Sequence, residues 1–297
     1  MSRSPWTWIA LIAVGFGGGF PLSKALLDSG IDVWQFFVPR YVIGSVIIAF
    51  VVRRGLGDAH VRNRGFLLGA VNVAAPTIFL TFTTDLLPAS VAGILVSFIP
   101  ITTIAFAHAL VPGERFEAVR LPGIAIAITG VVILVLGSRS ADGSALSIAG
   151  LAAGAAGIAT AGIGGALNRR YAMNHGALDL VTSQFLAATV VVGLVSAPFG
   201  GFDLAGFDGV QWLGIVLMGV FSTAIPFFAI LKAAELASAA TVANSGYLVP
   251  IVAATGSVVF LGDPLTLAFV TGSTLILIGV WTSDRAGRRH PRAVPRI

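Results

Sequence analysis

Residues Gly69–Pro100 read GAVNVAAPTIFLTFTTDLLPASVAGILVSFIP, and residues Gly219–Pro250 read GVFSTAIPFFAILKAAELASAATVANSGYLVP. Superimposed at an offset of 150, they align Gly69 with Gly219, Pro76 with Pro226, Leu86 with Leu236, Ala89 with Ala239 and Pro100 with Pro250, and keep an acid at Asp85 and Glu235. One residue then drops out. At an offset of 149, Gly113-Glu114 matches Gly262-Asp263, Gly123 matches Gly272 and Gly130 matches Gly279. Glycine- and alanine-rich stretches resemble one another by composition alone, but two proline pairs and a glycine–acid pair in register are hard to obtain that way. The chain reads as a duplication with repeats over 1–138 and 143–284, followed by a basic tail over 285–297.

What is duplicated is a set of membrane crossings. The 297 residues have 10% charged and 56% hydrophobic side chains and a mean hydropathy of +0.94, whereas a soluble domain carries about 25% charged residues. Uncharged runs cover Trp6–Ser23, Gly65–Thr84, Leu86–Gly113, Leu121–Ser138, Gly143–Asn168, Leu180–Phe202, Gly209–Leu231, Leu236–Gly262 and Pro264–Ser283, and Val33–Val52 is broken only by Arg40. Each is close to or above the length of a transmembrane helix, and ten crossings at roughly 20 residues each leave room for loops and a tail but not for a soluble domain. The expected fold is an all-α polytopic membrane protein of ten transmembrane helices. Secreted proteins, cytosolic enzymes and nucleic-acid binders are disfavoured together. With no cysteine in the chain, disulfides and thiolate chemistry are excluded.

Orientation follows from the basic residues. With a cytoplasmic N-terminus, fifteen of the eighteen fall on cytoplasmic segments: Arg3, Arg53, Arg54, Arg62, Arg64, Arg115, Arg120, Arg169, Arg170, Lys232, Arg285, Arg288, Arg289, Arg292 and Arg296. Lys24 and Arg139 lie outside, and Arg40 lies within a helix. The positive-inside rule places both termini in the cytoplasm and explains the basic balance as a topology signal. Five crossings per repeat is an odd number, so the halves run in opposite directions. That is the inverted-topology architecture of secondary transporters, with a substrate site near the midplane between the halves.

Proline removes a backbone hydrogen bond and kinks a helix. Pro76, Pro226, Pro100 and Pro250, with Pro21 after its glycine run, are therefore hinge candidates or fixed kinks that shape packing. Polar side chains in hydrocarbon are costly. Asn72, Ser97, Ser222, Asn244, Ser245 and Tyr247 are accordingly candidate substrate contacts, and Phe79 and Phe227, near the paired prolines, are candidate stacking partners. Serine can also satisfy itself on a carbonyl one turn back. Arg40 lies eight residues after Asp32, about 12 Å along a helix, too deep to snorkel comfortably. Structural anchoring and substrate contact both remain open for it. Lys24 either attracts a carboxylate at the outer mouth or snorkels. The expected cavity draws on helices one, three, four, six, eight and nine.

Phe16-Gly17, Phe20 and Lys24 in the first helix, Arg40 early in the second, and the Pro100/Gly113-Glu114 and Pro250/Gly262-Asp263 sets together resemble the EamA-type members of the drug/metabolite transporter superfamily. The resemblance runs from about Trp6 to Ser283 and is closest to the YddG-like exporters of aromatic and other amino acids. It implies a five-plus-five helix exporter of the bacterial inner membrane. Phe16 stands where that family often has tryptophan.

The first helix lacks the membrane glutamate on which small multidrug exporters of the same superfamily depend, and no acid lies in the middle of any helix. A site for neutral or zwitterionic solutes gains support over proton-coupled export of cations. No intramembrane protease or hydrolase motif and no Walker loop is visible, and no metal or cofactor is implied. The expected function is export of amino acids or related small metabolites by alternating access, with the small molecule and the lipid bilayer as partners, no nucleic acid, and a monomer as the working form. Export of cationic or lipophilic drugs, separable by resistance profiling, and a non-transporting membrane scaffold or enzyme, recognisable by a dry, closed midplane, are the alternatives.

Overall fold

A computed structural model describes residues 5–52, 59–112, 116–137, 146–172, 177–236 and 245–289. Apart from short connections, these residues are helical, as membrane-spanning backbone must be if its polar groups are to be satisfied without water. The helices are α1 (Pro5–Asp28), α2 (Val33–Val52), α3 (Ala59–Leu68, Gly69–Ala74 and Ala75–Leu86 end to end), α4 (Ala89–Leu95, Val96–Phe98 and Ile99–Leu110), α5 (Leu121–Gly137), α6 (Ile148–Ala172), α7 (Ala177–Ser196), α8 (Gly209–Gly219, Val220–Ala224 and Ile225–Leu236), α9 (Ser245–Leu261) and α10 (Leu267–Arg289). Among the described residues, seven helices are long and apolar enough to cross a membrane, and the stretches Ala118–Leu134, Leu248–Leu261 and Leu267–Ser283 form shorter apolar helices.

Large apolar side chains point away from the bundle. Leu136, Ile148 and Phe260 are 81%, 83% and 80% exposed, a surface that water would not tolerate and lipid would cover. Inside, one cluster packs Phe36, Phe37 and Tyr41 of α2 against Val73, Val192, Ile215 and Met218 of α3, α7 and α8. A second packs Leu95, Leu134 and Ile276 of α4, α5 and α10.

The halves interlock. Helix α1 packs on α9 and α8, α6 packs on α4 and α3, α2 meets α7, and α5 meets α10. The last pair is glycine-mediated. A Cβ on Gly123 would lie 2.6 Å from the Gly279 carbonyl oxygen, and one on Gly279 would lie 2.5 Å from the Gly123 carbonyl oxygen. Gly130 and Gly272 meet in the same reciprocal way, at 2.6 and 2.8 Å. Two antiparallel backbones touch here because small residues allow it.

Pro76 and Pro226 share one local solution. Pro76 follows a π-helical turn, Gly69–Ala74, in which the Ala75 amide reaches back five residues to the Ala70 carbonyl. Pro226 follows a second one, Val220–Ala224, closed by the Ile225 amide on the Val220 carbonyl. In a regular α-helix each ring would collide with the carbonyl four residues earlier, that of Asn72 or Ser222. The wide turn relieves this while the chain stays helical on both sides. Pro100 sits at the start of Ile99–Leu110, directly after the 3-10 turn Val96–Phe98. Pro21 and Pro250 lie within uninterrupted α1 and α9, and Pro21 abuts Gly256.

The glycine–acid turn between α9 and α10 has a capping role. Gly262 adopts φ +70°, a left-handed conformation suited to glycine. The Asp263 carboxylate accepts from the Ser90 amide at 3.0 Å and the Ser90 hydroxyl at 2.6 Å. It thereby caps the first turn of α4, whose own preceding residue, Pro88, offers no side-chain cap. Asp263→Ala is expected to cost about 1–2 kcal/mol, read as a fall of a few degrees in the unfolding temperature of the purified protein.

Candidate functional site

A cavity of about 240 Å³ lies between the halves, lined by α1, α2, α3 and α4 on one side and α6 and α8 on the other. Its α3 wall follows from helical spacing. Asn72, Val73, Pro76, Thr77, Leu80, Thr81 and Thr84 recur every three or four residues and form one stripe. Phe16, Gly19, Phe20 and Ser23 do the same on α1, and Met218, Ser222, Thr223 and Phe227 on α8. Arg40 and Tyr41 of α2, Val96 and Ile99 of α4, and Ala161 of α6 complete it. Phe16 meets Phe227 edge to face, with ring centroids 5.3 Å apart.

The polar groups are tied to the wide turns. Arg40 Nε donates to Thr223 Oγ1 at 3.0 Å, and Thr223 in turn donates to the Met218 carbonyl at 3.1 Å. The Arg40 guanidinium lies 5.4 Å from the Phe36 ring centroid and 5.7 Å from that of Tyr41. The Tyr41 hydroxyl is hydrogen-bonded to Thr77 Oγ1. On the other side, Asn72 Nδ2 approaches Gln184 Oε1 at 3.5 Å, and Gln184 Nε2 donates to Asn168 Oδ1 at 3.2 Å.

Of the side chains singled out in the sequence, Asn72, Ser222, Phe227, Pro76 and Arg40 line this cavity. Others are placed elsewhere. Ser97 is buried and donates to the Ile94 carbonyl at 2.7 Å, the self-satisfied alternative for a helical serine. Phe79 is half-buried and outside the lining. Ser245 is buried at the start of α9. Lys24 bonds the Asp85 carbonyl at 2.9 Å and pairs with Asp28 at 3.1 Å, joining the ends of α1 and α3. Pro226 packs on Gly15, and Pro100, Pro21 and Pro250 stand outside the lining. Asn244 lies outside the described residues, and so does the side chain of Tyr247. Helix α2 takes a place in the wall that the sequence reading gave to helix nine. Thr77, Thr81, Thr84, Tyr41 and Thr223 were passed over there, although the periodic hydroxyls of α3 are a signal readable in the sequence.

The EamA-like transporter family model matches residues 4–136 and, a second time, residues 148–283. The chain belongs to the EamA-like transporter family. It is a multi-pass membrane transporter. It is 27% identical over 303 residues to a probable terminal-alkyne amino-acid exporter of Streptantibioticus cattleyicolor, covering 99% of this chain and 98% of that one. The transporter is 24% identical to the uncharacterized transporter YvbV of Bacillus subtilis, covering 92% of this chain and 88% of the relative. A solved crystal structure superimposes with a TM-score of 0.61 at 20% identity, covering 94% of the transporter and 98% of the other chain, which speaks for the fold alone.

Proposed function

We propose that this transporter exports amino acids, aromatic and other neutral ones, or related small metabolites across the bacterial inner membrane by alternating access. The observation that carries the reading is the cavity itself, which is bounded by both halves and combines hydroxyl and amide groups with phenylalanine rings. A binding site of this kind is mostly apolar with a few placed polar groups. The relative named as a probable amino-acid exporter supports the same substrate class. Among the described residues the lining contains no Asp or Glu, which argues against lipophilic cations as cargo.

The architecture we propose is ten crossings in two five-helix repeats of inverted topology, 1–138 and 143–284, with both termini cytoplasmic. The double family match, the reciprocal glycine contacts between α5 and α10 and the paired π-turns support it. So do the three shorter apolar helices beside the seven long ones. The proline-bearing turns around Asn72 and Ser222 are the proposed points of bending. Asn244 and Tyr247 remain proposed contacts from the α9 side.

Two experiments test this reading. Purified transporter in proteoliposomes should move one or more members of a radiolabelled amino-acid panel, with and without a pH gradient, and movement of none overturns the substrate assignment. For topology, the cysteine-free chain gives a clean background. His60→Cys should be inert to an impermeant thiol reagent in intact cells and react once the membrane is opened, whereas labelling in intact cells would reverse the orientation.

A further inference from the structure

Among the described residues, Arg40 is the one cationic side chain lining the cavity, and its environment leaves its charge unanswered. A guanidinium offers five N–H donors in a planar fork. Among the described residues only Nε is engaged, on the neutral Thr223 hydroxyl. The ion pairs found there are Lys24–Asp28 and Arg120–Glu117, and neither involves Arg40. The rings of Phe36 and Tyr41 flank the cation and fix its plane, but they supply no hydrogen-bond acceptor for the terminal nitrogens.

The opposite half provides an internal control. Gly69, at the first wide turn, packs on α7 at the Gln184 carbonyl, where its Cβ would lie 2.3 Å away. Gly219, its repeat counterpart, packs on α2 at the Arg40 carbonyl, 3.1 Å from a built Cβ. Arg40 and Gln184 thus occupy corresponding places, each on a second helix facing a π-turn of the other half. Gln184 is 5% exposed and closes a neutral amide chain with Asn72 and Asn168. A neutral side chain therefore suffices for packing at this position. A charge placed at membrane depth without a partner is expensive, so the positive group at position 40 calls for an anionic occupant of the cavity.

We propose that Arg40 anchors the carboxylate of the transported molecule, and that the cargo is a monocarboxylate with an apolar or aromatic body. The planar fork matches a carboxylate in bidentate fashion. The Phe16, Phe20 and Phe227 side chains supply apolar walls. Among the described residues no acid lines the cavity, and an α-ammonium group meets neutral acceptors such as Asn72, Thr77 and Ser222, so the carboxylate end dominates recognition. The proposal rests on the transport reading above and sharpens it by naming the charge that is read.

The test uses three probes that share one ring: phenylalanine, 3-phenylpropionate, which keeps the carboxylate and lacks the amine, and phenylalaninamide, which keeps the amine and lacks the carboxylate. The readout is the ligand-dependent rise in unfolding temperature of the full-length transporter in detergent, which tracks affinity by mass action. Phenylalanine and 3-phenylpropionate should stabilise, and the amide should need a concentration at least about tenfold higher, the scale of a hydrogen bond to a charged group. Arg40→Gln should erase the preference for acid over amide, and Arg40→Lys should retain part of it. Equal response to phenylalanine and its amide in the wild type overturns the assignment without touching the transport reading. Stabilisation by 3-phenylpropionate but not phenylalanine upholds it and removes amino acids as cargo. Stabilisation by none of the three overturns it. If Arg40→Gln fails to fold, the wild-type comparison and Arg40→Lys still decide.

Discussion

Gly279→Leu is expected to abolish recovery of folded transporter. A Cβ at this position would lie 2.4 Å from the Ala127 amide nitrogen, 2.5 Å from the Gly123 carbonyl oxygen and 2.8 Å from Ala127 Cα. All three are backbone atoms of α5, so no side-chain rotation can relieve the overlap, and the two helices must separate. Overpacking a core costs about 1–3 kcal/mol when side chains can adjust. Here the contact that holds α5 against α10 is itself removed, so the loss should reach or exceed the upper end of that range. The measurement is the monodisperse fraction on size-exclusion chromatography, with Gly18→Leu as comparison, since nothing lies within 4 Å of a Cβ there. Equal yield from the two variants would contradict the close antiparallel contact.

The second large effect concerns transport with the fold intact. Ala161 lines the cavity from α6, and Ala161→Phe projects a ring into a space of about 240 Å³. Filling an apolar-walled void adds contacts rather than strain where room exists, so the unfolding temperature should hold or rise. Uptake of the amino acid that the wild type moves should fall about tenfold or more, because a drug-sized or smaller ligand fills most of such a pocket. Ala155→Phe, at an exposed position on the same helix, should leave uptake near the wild-type rate. Retained uptake by Ala161→Phe would place the transport path elsewhere.

Much of the fold was legible because charge and hydrophobicity punctuate a membrane chain so plainly. Val33–Val52 is a helix with the same bounds as the run that Arg40 alone interrupts, whereas the wide turns before Pro76 and Pro226 leave no mark in the hydropathy pattern and emerge only from the backbone. The site was partly legible. Asn72 and Ser222 stand out in the sequence as polar residues within apolar runs, four residues before Pro76 and Pro226, and both line the cavity. Ser97 is a candidate in the sequence as a polar side chain in hydrocarbon, a criterion that carries no rotational information, and it bonds its own backbone. Taken singly, the threonines of α3 carry little signal, because each can bond a carbonyl one turn back, as Thr84 does to Leu80 at 2.8 Å. Their significance lies in their shared face. Arg40 was identified as too deep for the surface, but its neutral counterpart Gln184 emerges only from the packing of the two glycines, which one-dimensional alignment at a fixed offset does not reveal.

The π-turns also act as phase setters. Each inserts one residue beyond the α-helical count, so everything beyond it on α3 or α8 is turned by about 100° relative to a regular helix. The stripe Thr77, Thr81 and Thr84 points where it does because of that added residue upstream. Deleting one residue between Gly69 and Ala74 would press the Pro76 ring against the carbonyl four residues earlier and swing the hydroxyl face towards a neighbouring helix or lipid. Length within these turns, more than side-chain chemistry, is then the variable by which a chain of this architecture can re-aim an entire wall of its cavity in a single mutational step.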